Sequence, residues 1–113
     1  MVAWQQGVEL VKEVYALTAR FPQTETYGLV AQMRRAAVSV PSNIAEGAAR
    51  ETSKEFAQFL IVARGSLSEL ETQLHIATEL GFCPYQPTLV DLIDRLFTPV
   101  SYTHLTLPTI YSV

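Results

Sequence analysis

The sequence has a single cysteine, Cys83, so no internal disulfide can form and a redox staple plays no part in the fold. A basic-then-apolar leader is missing from the start of the chain, and no apolar run approaches the roughly 18 residues that a spanning helix needs. The expectation is a soluble cytoplasmic protein with no membrane partner. Missing too are a nucleophile elbow, a glycine-rich phosphate loop, zinc-ligand spacing and the Glu-x-x-His pair of di-metal carboxylate bundles. No catalytic residue, cofactor, metal or small-molecule substrate is therefore expected. Glu71, His75 and Glu79 do share a helical face, but His75 falls outside the apolar seam, which reads as a solvated ion pair. Cys83, alone beside Pro84, reads as an inert thiol.

What is present is enough for one domain. A chain of 113 residues buries roughly two thirds of its unfolded surface and needs no staple. The net charge of −3 and pI near 5.3 argue against a surface built wholly for nucleic acid. The charge is unevenly spread. Residues 20–64 carry six basic side chains (Arg20, Arg34, Arg35, Arg50, Lys54, Arg64) against four acidic ones, a local +2, whereas residues 65–113 carry one against five, a local −4. Those six basic residues are the candidate nucleic-acid contacts, if they share a face.

Apolar spacing is helical through the first hundred residues. Phe56, Leu60, Ala63, Leu67, Leu70, Leu74 and Ala77 make a seam of alternating four- and three-residue steps, which predicts a long bundle helix. Thr52 and Glu55 form a capping box at its start, and Gly81 with the following Pro84 marks its end. The first helix has two stripes, Trp4, Val8, Val11, Tyr15 and Leu10, Val14, Leu17, Phe21. One can face the core, and the other asks for a further partner. Phe21-Pro22 ends that helix, and a second is predicted from about Thr24, with Leu29, Met33, Ala36, Val40 and Ile44 inward. A fourth, short helix opens at Pro87, carries Leu89, Leu92, Ile93 and Leu96, and is predicted to stop near Phe97. The expected architecture is an all-α, antiparallel up-down four-helix bundle over residues 1–98, with an irregular tail over 99–113. The tail has no Asp, Glu, Lys or Arg and contains Pro99 and Pro108. "SYTHLTLPTIYSV" looks like translated sequencing-adapter sequence, so the tail is read as foreign to the natural chain.

The stretch "RRAAVSVPSNIAEGAAR" is the least ordinary part. Pro41 removes an amide and presses on the Ala37 carbonyl, predicting a kink or restart, with Ser39 and Ser42 placed to satisfy freed backbone groups. Gly47, and Gly65 in the third helix, each cost about 1 kcal/mol relative to alanine, which predicts close helix contacts at both. Arg35, Ser39, Ser42, Glu46 and Arg50 line one face, beside Asn43, and Ser66, Glu69 and Gln73 line a face of the third helix. Two wet faces are one reading. The flanking Phe59, Val62 and Ile76 favour the other, a polar seam between subunits in which Arg35 or Arg50 pairs with Glu46 or Glu69.

"FPQTETYGL", "QMRRAAVSVPSNIAEGAAR" and "KEFAQFLIVARGSLSELETQL" resemble the signature of the bacterial 23S rRNA intervening-sequence protein family, a four-helix-bundle fold shared with the retroelement accessory variability protein. The likeness covers about Trp4 to Leu96. It implies a ring-shaped homopentamer without known catalytic activity, acting as a scaffold or adaptor. The retroelement relative resembles a strongly basic adaptor for nucleic acid, which keeps an RNA- or DNA-binding role on a basic face of the ring as the alternative. This chain's acidity departs from that pattern.

Overall fold

The first helix of the computed structural model, α1, covers Val2–Thr18, and its end is set by residues that turn side chains back on the backbone. The Thr18 hydroxyl donates to the Val14 carbonyl at 2.7 Å, and Phe21-Pro22 then breaks the helical path. The structure describes residues 1–105, with side chains through Thr98. After a 3-10 turn at Gln23–Glu25 come α2 (Leu29–Ala48), α3 (Ser53–Glu79) and α4 (Pro87–Leu105). There is no strand among the described residues.

The second helix starts at Leu29 rather than near Thr24. Thr26 donates to the Gln23 carbonyl at 2.8 Å, which closes the 3-10 turn, and Glu25 folds its carboxylate over the start of α2 to accept from the Leu29 amide at 3.2 Å. The capping box of α3 forms as expected on its first half: the Glu55 amide donates to Thr52 Oγ1 at 3.1 Å. The Glu55 carboxylate accepts from the Thr52 hydroxyl at 2.9 Å. At the far end Gly81 takes φ +79° and the Phe82 amide reaches the Ala77 carbonyl at 2.9 Å, a Schellman closure.

The fourth helix is longer than predicted, running past Phe97 to Leu105. Pro99 removes one backbone donor without ending the helix, since one missing bond leaves the rest of the ladder in place. At 19 residues α4 is still shorter than the 27 of α3. The remaining tail, residues 106–113, lies outside the described residues.

Helix pairing follows from cross-contacts. Gly7 of α1 lies against Pro41 while Thr18 meets Arg34, so α1 and α2 run antiparallel. Gly47 lies against Phe56 and Phe59 while Ser39 meets Ser66, so α2 and α3 do too. The fourth helix packs on both α3 and α1 and closes the bundle. The core is built from the predicted stripes: Leu10, Val14, Met33, Val40, Ile44, Leu67, Leu70, Ile93 and Leu96 are all buried. One α1 stripe is buried in it, whereas of the other Val11 packs partly buried against the core and Trp4 and Tyr15 stay exposed.

Pro41 sits inside α2 without a restart, with its ring turned to α1. A β-carbon at Gly7 would lie 3.1 Å from the proline Cβ, so the glycine admits the ring. Gly47 also has a packing reason, because its β-carbon would fall 2.7 Å from Phe56 Cδ1 and 2.9 Å from Phe59 Cβ. The expectation fails at Gly65. Among the described residues nothing lies within 4 Å of a β-carbon there, so no neighbouring helix uses the space.

Candidate interaction surfaces

On the open side of the α2–α3 pair the predicted polar line is partly knitted together inside the chain. Ser66 donates to Ser39 Oγ at 2.8 Å, and Asn43 Nδ2 donates to the same oxygen at 2.9 Å and to the Ser39 carbonyl at 2.7 Å. The Ser39 hydroxyl thus turns to α3 and Asn43, not to the Ala37 carbonyl. Arg50, just past the end of α2, pairs back with Glu46 at 2.9 Å and lies over the Phe59 ring at 4.7 Å. Arg35 and Glu69 border one shallow pocket with Ser39 and Ser66, but neither has an ion-pair partner among the described residues.

Gln73 departs most from a simple polar face. It is 5% exposed, and its Oε1 finds no hydrogen-bond partner among the described residues. A buried acceptor left unpaired costs about 1–3 kcal/mol. Around this line Val62 and Ile76 of α3 are exposed, and Gly65 is open.

The six basic residues do not form one face. Arg20 is exposed in the turn after α1, Arg50 and Lys54 lie at the turn between α2 and α3, and Arg64 is exposed on α3 nearly opposite Ser66. Arg34 and Arg35 are brought together beside a groove of about 520 Å³ along α1 and α2, with Tyr15, Tyr27, Val30 and Val38. Arg34 is held in place there. Its Nε donates to Thr18 Oγ1 at 2.9 Å, a second nitrogen reaches the Tyr15 carbonyl at 3.3 Å, and the guanidinium sits 4.3 Å from the Tyr15 ring centre. No acidic residue lines the groove, and Tyr27 is 96% exposed. Neither the anchoring of Arg34 nor the exposure of Tyr27 was visible from spacing, because both depend on how α1 meets the start of α2.

His75 pairs with Glu79 at 3.5 Å in solvent, and Cys83 is a half-buried free thiol 4.0 Å from Thr78 Oγ1. Among the described residues no cluster of His, Cys, Asp and Glu could hold a metal. No helix among the described residues is long and apolar enough to cross a membrane.

A bundle of this kind, with its core made by four amphipathic helices and its polar residues on outer faces, belongs to the class of up-down helical bundles. The sequence model of the family described as 23S rRNA-intervening sequence protein matches residues 1–96, so the chain belongs to that family. The match stops at Leu96, a buried leucine of α4. Comparison with curated proteins gives no match.

Proposed function

We propose that this chain is a non-enzymatic scaffold or adaptor that assembles with copies of itself, as a pentamer on the family's example. The observation that carries this reading is the bare face of α3. Gly65 costs helix stability with no atom of the described residues in the space it opens, and Val62 and Ile76 stand exposed on the same side. Exposed apolar side chains beside a glycine with no internal use fit a helix that is covered by something else. The polar line from Arg35 to Gln73 then borders the subunit boundary. Light scattering on the purified protein tests the reading directly: five times the 12.6 kDa chain mass is expected, and a single-chain mass at all concentrations sinks it.

A nucleic-acid role is the second reading, favoured by the fixed Arg34 and the acid-free groove beside exposed Tyr27. Phosphate contacts weaken steeply with salt, so ribosomal RNA fragments should bind at low ionic strength and dissociate as salt rises. Arg34→Ala and Arg35→Ala should each weaken that binding. Absence of any salt-sensitive shift removes this reading.

A further inference from the structure

Two faces of the molecule carry apolar side chains that its own fold leaves uncovered, and they differ in shape and charge. The α1–α2 face is made of large projections: Trp4, Tyr15, Tyr27 and Val38 are exposed, with Arg34 fixed among them. The α3 face is a trough. Val62, Gly65, Glu69 and Ile76 share one exposed stripe, with a glycine gap at Gly65 and one acceptor, the Glu69 carboxylate, while Gln73 beside them is buried. At 1.5 Å per residue the stripe from Val62 to Ile76 is about 21 Å long and that from Trp4 to Tyr15 about 16 Å, so the two match in scale.

We infer that the α1–α2 face of one copy seats on the α3 face of a second copy, placing Arg34 against the partner's Glu69 and an aromatic side chain over the partner's Gly65. This rests on the self-assembly reading above and adds a direction to it. Charge complementarity favours a second copy over a polyanion. The groove has two arginines and no acid, and the stripe on α3 offers the Glu69 carboxylate that such a groove attracts. Neither Arg34 nor Glu69 has an ion-pair partner among the described residues. Projections on one face and a gap on the other make the contact heterologous, so every copy uses both faces and the chain of contacts closes into a ring or runs on.

Two variants break one face each. Tyr27→Ser with Arg34→Glu spoils the α1–α2 face, and Gly65→Leu fills the trough on α3. Each alone should weaken association by at least about 30-fold and scatter as a single chain, since loss of a close charge pair or of central packing has that scale. Gly65→Leu keeps or raises helicity and melting temperature in the separated chain, because leucine is the better helix former, so its loss of mass is not unfolding. Mixed one to one at high concentration, the two variants should form a species of two chains and go no further, because each retains the face that the other lacks. A mixture that stays at single-chain mass, or a variant that assembles like the parent, overturns the directed contact while leaving self-assembly itself standing. If Gly65→Leu alone abolishes assembly and the other variant does not, α3 pairs with α3 and the inference is wrong. A parent that is itself a single chain sinks both readings at once. RNA binding lost with Arg34 in a parent whose mass does not depend on Arg34 assigns the groove to nucleic acid.

Discussion

Around Gly47, where α2 turns into α3, the structure is filled; around Gly65, further along α3, the helix surface is bare. Both glycines cost backbone entropy, and only the first recovers it inside the chain, through Phe56 and Phe59 at distances that no β-carbon could tolerate. The contrast separates two kinds of small residue that look alike on paper. One serves the bundle's own packing, and the other leaves open space that the proposed contact between copies would fill.

The sharpest way to break the comparison is to enlarge the filled site. Gly47→Val forces Phe59 Cβ to move, and with it the backbone of α3, so a loss of about 3 kcal/mol is expected in denaturant unfolding, at the upper end of overpacking penalties. A loss below about 1 kcal/mol would mean that the contact yields easily and that Gly47 is no tighter than Gly65.

Gln73 extends the comparison from shape to polarity. In the Tyr27→Ser, Arg34→Glu background, expected to be a single chain, Gln73→Met removes a buried acceptor with no partner among the described residues and keeps the side-chain volume, so stability should rise by about 1–2 kcal/mol. A fall would mean that the amide is satisfied, its Oε1 accepting from a bound water or its Nε2–H groups donating to a neighbour.

How far these features could be read in advance depends on whether they are local. The core stripes, the Thr52 cap and the Gly81 closure were legible, since each rests on residues a turn or two apart. The start of α2 was not, because Glu25 and Thr26 hold a 3-10 turn that helical periodicity does not reveal. The end of α4 was misplaced by treating Pro99 as a stop. For the surface, spacing put Ser39 and Ser66 on two separate polar faces and could not tell that they and Asn43 are hydrogen-bonded within the chain, that Gln73 is buried, that Gly65 faces nothing, or that Arg34 is pinned on Tyr15. Those facts depend on crossing geometry and exposure, which one sequence does not encode in its periods.

Gly65 itself offers a smaller effect with an informative sign. In the same background Gly65→Ala should stabilise by about 1 kcal/mol, the ordinary propensity gain at an exposed helical site. In the otherwise unaltered chain the added methyl enters the space assigned to a neighbour, so the gain should shrink or reverse. Equal stabilisation in both backgrounds, with unchanged mass, would show that the bare face stays bare.

The smallest effect expected is at Arg50, and it tests whether the polar line near the filled site is already complete. Arg50 pairs with Glu46 one turn earlier at 2.9 Å, both side chains being largely in solvent, and its guanidinium covers the Phe59 ring. An exposed pair beyond a helix end lies at the low end of about 0–1 kcal/mol, and an exposed cation–π contact contributes about 0.5–1. Arg50→Ala should therefore cost no more than about 1 kcal/mol and leave the scattering mass unchanged, and Glu46→Gln should cost less, because it spares the stacking on Phe59. A buried pair behaves otherwise, since removing one partner strands a charge and costs about 3–5 kcal/mol. If Arg50→Ala reaches that range, or lowers the assembled mass, the boundary between copies extends past Ser39 to the α2–α3 turn, and the filled region around Gly47 is part of the interface as well as of the bundle.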